Sequence, residues 1–516
     1  VDDEAKLQII ADQIKFFSSD INVIVFPAWD CAPYEKVSPN ISSLSKRINV
    51  LDQLCNLEDK NTILLLSIDS VIQKLPPVDL IPSLAKTIKI NDVIKRDEFL
   101  MQLIELSFRR VEVASEPGDF AVRGDIIDII SLPEEGWRID FFGSKIDRIR
   151  SYDPITQISK KELNEIHVLP SSEVVLSQEA VERFKVKFIE EFGELSIEHP
   201  LYEAIKDKRK YAGMEHYLPC FYKKLSNIFD YFNPDLVICD NDFMHELGIN
   251  YKQIKDYYED RQELLSNRFQ DELIYYPLNP SLMWLNLDEI EEYLKKYKII
   301  NLHNFTLDDT NGFDLDIVQA NNFDLASQNK GISSFDLFKS YRDSCKQKII
   351  IACYSEGSLE RINGILENYN IHSYRLSCFN DYKNISGKTV GIAILPIEHG
   401  YSFEDFSIIA EQDLLGKKII RKKSKKSLEN LLEEINNLQI GEHVVHQKHG
   451  VGLFSGLETI LAAGIHHDCI KLIYAGNDVL YIPVENLDLL SRYGSSEHNI
   501  KLDKLGGSSW KQRKAK

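Results

Sequence analysis

The sequence predicts a multidomain α/β protein, and three observations support that prediction. Its 516 residues are enough for several domains, since one domain usually takes about 100–200 residues. Short, wholly apolar runs alternate with helix-like segments, which is typical of parallel sheets covered by helices. Residues 116–150 and 439–494 instead place apolar and polar residues alternately between turn residues, as half-exposed antiparallel strands do.

Residues 1–85 are predicted to open a parallel-sheet domain. A helix is expected over residues 4–17, which carry apolar side chains at helical spacing, and apolar strands over 22–26 and 63–67 flank a helix at 42–54. Residues 173–310 are predicted to complete this split domain.

The return segment includes residues 211–232, which are dense in aromatic side chains. We interpret that stretch as buried core, because aromatic side chains bury large apolar areas.

Residues 86–172 are predicted to form a small antiparallel sheet inserted into the split domain, with three strands between residues 116 and 150. One face of such a sheet stays in water. That face would show Arg123, Arg138 and one of Phe141 or Phe142. Arginine and aromatic residues dominate interface hot spots, so this face is a candidate partner-binding patch. The alternative is an ordinary solvated face with arginine stems covering the core.

Residues 311–437 are predicted to form a flavodoxin-like α/β domain with a basic linker. Its buried strands are expected at 348–352 and 390–395, with a helix at 356–368 between them. The run RKKSKK at 421–426 precedes an expected helix at 428–438. We interpret this run as a solvated linker, with an auxiliary nucleic-acid contact as the alternative.

The chain offers no convincing nucleotide site. A phosphate-binding loop needs GxxxxGK[ST] between a strand and a helix. Around Gly387, Lys388 and Thr389 the first glycine is replaced by Tyr382, and an apolar strand follows instead of a helix. Residues 236–240 (LVICD) end a strand in an acid, as a Walker B site does, but no glutamate follows. We therefore expect no cofactor in this part of the protein.

Residues 438–494 are predicted to form a small SH3- or Tudor-like β barrel, followed by a linker at 495–516. Ile470, Leu472 and Tyr474 lie on one face of a strand, and a hairpin turn follows. Three histidines at 443, 446 and 449 suggest a metal site. Residues three apart in a strand point to opposite faces, so we do not expect a metal ion there.

Composition narrows the class of partner. The chain has 61 Lys and Arg against 80 Asp and Glu, a formal net charge of −19. It is therefore not, as a whole, a nucleic-acid cradle, because phosphate binding needs clustered cations. We expect protein partners and a monomer.

Other features bear on where the protein works. The eight cysteines show no CxxC spacing, which favours free thiols in a reducing compartment and hence the cytoplasm. No apolar run approaches the ~18 residues of a membrane-spanning helix, and no signal peptide is apparent. Because the chain starts at Val1 and stops in a basic run, we interpret it as a piece of a longer protein.

Two stretches carry a family resemblance. EPGDFAVRGDIIDI and RIDFFGSKIDRIRSYDPITQ resemble the small inserted domain shared by the excision-repair protein UvrB and the transcription-repair coupling factors. IGEHVVHQKHGVGLFSGLETI and the residues after it resemble the RNA-polymerase-interacting domain of the coupling factors. CarD transcription regulators share that second domain and UvrB lacks it, so the resemblance favours the coupling factors.

The resemblance implies an adaptor with two protein partners. The barrel would bind the β subunit of RNA polymerase through Ile460, an apolar residue expected after the barrel's second strand and able to anchor a partner strand. The inserted domain would bind UvrA through Arg123, Arg138 and Phe142, beginning nucleotide excision repair. Without the resemblance, Ile460 could equally be a core residue.

In that family an ATP-dependent DNA translocase displaces the polymerase, and the resemblance implies that this motor lies beyond Lys516. ATP, Mg²⁺ and DNA would then bind the motor, and the present chain would have no ATPase activity. Two alternatives remain. A UvrB-type damage-recognition helicase would need a phosphate loop and a DNA-gripping hairpin. A stand-alone CarD-like regulator does not account for residues 1–437.

Overall fold

The computed structural model describes residues 4–58, 61–132, 135–239, 243–266, 275–303, 315, 317–416, 441–446, 450–462, 465–476, 478–483, 490–492 and 502. The chain separates into two compact units, Val1–Lys417 and Lys418–Lys516. Each unit is described by itself.

The first unit opens with the predicted parallel strands between helices. Its elements are α1 (Glu4–Phe17), β1 (Asn22–Phe26), α2 (Ile41–Cys55), β2 (Thr62–Leu66), α3 (Ile68–Ile72) and α4 (Leu80–Leu84). β1 and β2 pair in parallel. Leu7 and Ala11 of α1 pack with Leu65 on one side, and Leu51 of α2 packs with Phe26 on the other. Helices on both faces explain why these strands are apolar throughout.

The inserted domain is a six-stranded sheet with a helix on one face. Its elements are β3 (Lys86–Lys89), α5 (Arg96–Glu105), β4 (Arg109–Val111), β5 (Asp119–Arg123), β6 (Ile126–Leu132), β7 (Glu135–Phe142), β8 (Lys145–Tyr152), β9 (Ser159–Leu163) and β10 (Glu165–Val168). Strands β4 to β9 lie side by side in chain order, and β10 pairs with β3.

The expectation of three strands between residues 116 and 150 was wrong, because the structure has four. Gly124 and Asp125 form a two-residue turn that divides the first expected strand into β5 and β6. Gly124 has a φ of +60°, a conformation that glycine adopts without steric cost.

The chain then returns to a helical region around an aromatic core. Its elements are α6 (Gln178–Phe192), α7 (Pro200–Lys206), α8 (Leu218–Phe221), α9 (Ile228–Tyr231), β11 (Leu236–Cys239), α10 (Phe243–Ser266), α11 (Pro280–Met283), α12 (Leu287–Leu294) and β12 (Lys298–Asn301), with 3₁₀ turns at Glu194–Glu198 and Met214–Tyr217. Phe221 stacks on Phe184 with ring centroids 4.8 Å apart. The prediction that residues 211–232 are largely core is confirmed.

The last part of the first unit is a second α/β sheet. Its elements are β13 (Val318–Gln319), α13 (Phe323–Lys330), α14 (Ser334–Ser344), β14 (Lys348–Cys353), α15 (Glu356–Asn368), β15 (Ser373–Arg375), β16 (Val390–Ile394), β17 (Tyr401–Ser402), β18 (Phe406–Ala410) and α16 (Glu411–Leu415), with a 3₁₀ turn at Phe379–Asn384. The strand order is β13-β17-β18-β14-β16-β15. A flavodoxin-like order would put β15 next to β14. Here β16 lies between them, so that part of the prediction was wrong.

Helix α1 belongs to both sheets of the first unit. While Leu7 and Ala11 face β2, Phe16 packs against the β14 sheet beside Ile350. The Phe17 ring lies 5.2 Å from that of Phe379. One helix therefore supplies core to two sheets.

The second unit is a five-stranded antiparallel sheet. Its strands are β19 (His443–His446), β20 (Gly450–Ala462), β21 (Ile465–Ile473), β22 (Val479–Pro483) and β23 (Leu490–Arg492), in the order β22-β21-β20-β19-β23. Ile470, Leu472 and Tyr474 are buried together as expected. Closure into an SH3- or Tudor-like barrel stays a prediction.

The basic run at 421–426, the helix expected at 428–438, His449 and all of the 495–516 linker except residue 502 lie outside the described residues.

A buried ion pair ties the inserted domain to the sheet that it interrupts. Arg47 of α2 and Glu173, which follows the inserted domain, are both fully buried and bonded to each other. Arg47 also donates to the Pro27 carbonyl oxygen at 2.7 Å and lies over the Phe26 ring at 4.4 Å. The chain's exit from the inserted domain is thereby fixed to the end of β1.

We expect Glu173→Ala to lower the free energy of unfolding of the first unit by about 3–5 kcal/mol, because it leaves the Arg47 charge buried and unpaired. Urea titration followed by tryptophan fluorescence measures this. Glu179→Ala removes the exposed partner of Arg183 and is the control, with an expected loss below about 1 kcal/mol. Equal losses in the two variants would contradict the structural role of the pair.

Candidate protein-binding surfaces

The six-stranded sheet has two chemically different faces. On the inner face, Phe120, Ile139 and Ile149 pack against Phe99 and Leu103 of α5. Alternate residues on the same strands point to the opposite side, which we call the outer face. The outer face includes the expected patch residues Arg123, Arg138 and Phe142.

Three Asp–Arg pairs cross the outer face. Arg109 directly opposes Asp119, and Arg138 directly opposes Asp128. Arg150 is the diagonal neighbour of Asp140 on the adjacent strand, within reach of a long side chain. Arg109 Nε lies 3.0 Å from Asp119 Oδ1, Arg138 makes two bonds to Asp128, and Arg150 Nη2 lies 2.7 Å from Asp140 Oδ2.

Arg138 is held within the sheet rather than free on its surface. Its Nε and Nη2 donate to the two Asp128 oxygens at 2.7 and 2.9 Å, and its guanidinium lies 4.8 Å from the Tyr152 ring centroid. The hydrogen bond to Asp128 raises the pKa of Arg138. Only 14% of the side chain is exposed. Arg138 therefore lies on the outer face, as expected, but the neighbouring strand supplies a carboxylate for it.

Phe142 is the exposed aromatic residue of the pair Phe141–Phe142. Phe141 lies two residues after Ile139 on β7 and faces the core by strand alternation, so it is 5% exposed and lies 6.1 Å from Phe99. Phe142 is 80% exposed and pairs with Lys145 across a tight turn. A large ring this exposed has no stabilising role in the isolated domain, which makes it a candidate anchor for a partner.

Arg123 is an exposed cation on the outer face. It ends β5, opposite Ile126, and its side chain is exposed. Among the residues that the structure describes, no carboxylate forms an ion pair with it. The structure therefore brings together an exposed ring and a free guanidinium, with Arg138 as a fixed group on the same face.

The aspartates of the outer face were not foreseen. Asp119, Asp128 and Asp140 occupy outward positions on three strands. In each ion pair the arginine and the aspartate are ten residues apart in sequence. That recurring spacing is the sequence signal of the pairs, although β4 and β5 are parallel and the other two pairs join antiparallel neighbours.

The two stretches compared with nucleotide-binding motifs differ in structure, since Leu236–Cys239 forms β11 whereas residues 387–389 lie in a turn. Gly387, Lys388 and Thr389 lie between the 3₁₀ turn Phe379–Asn384 and β16, so a strand follows them, as predicted. Asp240 lies outside the described residues.

No group of three potential metal ligands occurs in the described part of the chain. Within the same ranges, none of the helices is long and apolar enough to cross a membrane.

The second unit places Ile460 inside a strand. It lies within β20 and pairs with His467 of β21, whereas it was expected after that strand. β20 extends further than its sequence pattern suggested because β21 continues to pair with it as far as Ala462. β19 pairs only with residues 450–453 of β20. Over the described strands, the far half of β20 therefore has a neighbour on one side only. The Ile460 side chain is outside the described part, so its role stays a prediction.

Comparisons with known proteins match three separate parts of the chain. The UvrB interaction domain matches residues 87–174, the MFD D3 domain matches residues 341–414, and the CarD-like/TRCF RID domain matches residues 438–494. Together they define a multidomain α/β protein that carries a UvrB-type interaction domain and a CarD-like module.

Matches that extend over the whole of this chain identify the family. A transcription-repair-coupling factor of Rickettsia conorii is 34% identical over 516 residues, covering 100% of this chain and 45% of the relative. Those of Escherichia coli and Bacillus subtilis are 27% and 25% identical, each with 44% of its length covered. The chain belongs to the family of transcription-repair-coupling factors. It spans less than half the length of these relatives.

Proposed function

We propose that this chain is a two-partner adaptor, which binds RNA polymerase through residues 438–494 and UvrA through the outer face of the inserted domain. The proposal rests on the domain matches and on one structural observation. Phe142 is exposed on the outer face, where arginines and aspartates form ion pairs with each other. The polymerase contact would be made with the β subunit, and UvrA recruitment would start nucleotide excision repair in the cytoplasm.

Residues outside this chain would supply the enzymatic part of the proposal. ATP, Mg²⁺ and DNA would bind a motor that displaces the polymerase, while the present chain provides contacts and no catalysis. We infer that the chain acts as a monomer.

The arrangement suits a UvrA contact for a physical reason. The paired arginines have already been desolvated and ordered by their aspartates, so Arg138 costs little additional entropy on binding. Arg123 is free to pair with an acidic group, and Phe142 can enter an apolar pocket. Such a combination of rigid and exposed anchors is typical of hot spots.

We expect the double substitution Arg123→Ala with Phe142→Ala to weaken UvrA binding by at least ~30-fold, because losing a single hot-spot side chain costs about 2 kcal/mol or more. Titration calorimetry with purified UvrA measures the change. Met101 on α5 is exposed, and Arg110 pairs with inner-face Phe120. Met101→Ala with Arg110→Ala is thus a matched control that leaves the outer face intact. Unchanged affinity in the first variant would count against the patch.

The proposed polymerase contact uses the one-sided half of β20. An edge strand can accept a partner strand, and a bulky charge there prevents docking. We expect Ile460→Arg to abolish pull-down of the polymerase β subunit while the circular dichroism spectrum is preserved. Val479→Arg introduces the same charge at an exposed position of β22 and should still bind. Normal binding by Ile460→Arg would remove the assignment.

Nucleotide should leave this part of the protein unaffected. Binding at a concentration 100 times Kd would add about 2.7 kcal/mol to the free energy of unfolding and raise Tm measurably. We expect no shift of Tm when ATP and Mg²⁺ are added. A concentration-dependent rise would show that a nucleotide site exists in these residues.

A further inference from the structure

Two further side chains lie beside Phe142, in one row across the end of the six-stranded sheet. Lys145 begins β8 and pairs with Phe142 across the tight turn. Val93, in the segment between β3 and α5, forms an antiparallel bridge with Lys145 on the other side of β8. Directly opposed residues share one face. The Phe142 ring, the Lys145 ammonium group and the Val93 side chain therefore all lie on the outer face.

Main-chain hydrogen bonds fix the Val93 end of this row. The amides of Ile94 and Ile146 donate to carbonyl oxygens of the opposite segment at 2.7 and 2.9 Å, one on each side of the bridge between Val93 and Lys145. The two residues are thus a non-hydrogen-bonded pair, the kind in which opposed side chains lie closest. Ile94 packs against the inner core, so Val93, one residue before it, points outward.

The row combines exposed apolar groups with a positive charge. Val93 is 74% exposed and Phe142 is 80% exposed, although valine and phenylalanine are residues that a domain ordinarily buries. Lys145 between them is also exposed, and within the described ranges no carboxylate forms an ion pair with it. A partner that covers Phe142 would therefore meet an ammonium group and a second apolar side chain directly beside the ring.

Arg123 extends the row on the other side of Phe142. The Phe141 amide donates to the Asp125 carbonyl oxygen at 2.9 Å, which places the turn after Arg123 beside the end of β7. Four strand steps of about 4.8 Å separate β5 from the Val93 segment, or ~19 Å in all. A standard interface covers about 800 Å² on each partner, a disc about 32 Å across. One partner can therefore cover the whole row.

We propose that UvrA binds this row, with a carboxylate of UvrA pairing with Lys145 and one apolar surface of UvrA covering both Phe142 and Val93. The proposal rests on the proposed UvrA contact and adds two residues and the chemistry of the surface that faces them. The row alternates cation, ring, cation and aliphatic group from Arg123 to Val93. The facing surface of UvrA would carry acidic groups on either side of an apolar contact, because complementary charges fix the register of an interface.

The test is the affinity of UvrA for two variants of the whole chain, Lys145→Glu and Val93→Ser. We expect Lys145→Glu to weaken binding at least ~10-fold at low salt, because it places like charges opposite each other in the interface. That loss should shrink when the salt concentration is raised from about 0.05 M to about 0.5 M, because screening is then stronger. Val93→Ser should weaken binding about fivefold at both concentrations, since an apolar contact is not screened.

Two variants outside the inserted domain carry the same chemical changes and are the controls. Lys223→Glu alters an exposed lysine that follows α8, and Val186→Ser alters an exposed valine on α6. Both should bind UvrA as the parent chain does at either salt concentration. All four variants should keep the melting temperature of the parent chain, because each substituted side chain is exposed.

Three results would overturn the proposal, and they can be told apart. If both row variants bind within twofold of the parent while Arg123→Ala with Phe142→Ala loses binding, the row is wrong and the smaller patch stands. If Lys223→Glu weakens binding as much as Lys145→Glu does, net charge explains the effect and no contact at Lys145 is needed. If the parent chain itself does not bind UvrA, the proposed function fails and the row fails with it.

Discussion

The candidate UvrA surface depends on the pairing of aspartate and arginine across the outer face of the six-stranded sheet. Asp119 and Asp128 are almost completely buried, and a buried carboxylate without a partner would be strongly destabilising. Their arginines stabilise the charges and are held in place by them. The sheet can therefore present a polar face that is rigid, and its exposed residues act from fixed positions.

Buried contacts also fix the parts of the first unit to one another. Helix α1 packs on two sheets, and the buried pair Arg47–Glu173 fixes the exit of the inserted domain to α2 and β1. An insertion anchored at its exit is oriented relative to the sheet that it interrupts. A partner bound to the outer face would thus act on the whole first unit and not on a freely tethered domain.

The sequence predicted well those elements whose pattern is local. Helices α1 and α15 begin and end where their apolar spacing indicated, and β1 matches its apolar run. The misses have two causes. The Gly124–Asp125 turn joins strands that pair from Arg123 and Ile126 and is a local Gly-Asp hairpin signal that the continuous apolar run concealed. The position of β16 between β14 and β15 depends on crossover connections between distant residues. For the candidate site, Phe142 was identified as one of two adjacent rings, but the burial of Arg138 against Asp128 could not be seen without the pairing register.

The central claim is that two separate surfaces of one chain can be occupied at the same time. The most direct measurement is a bridging experiment, in which immobilised UvrA is exposed to core RNA polymerase with and without this chain. The adaptor account predicts that polymerase is retained only when the chain is present, and that either Phe142→Ala with Arg123→Ala or Ile460→Arg removes it. If each partner binds the chain alone but polymerase displaces UvrA, the account is contradicted.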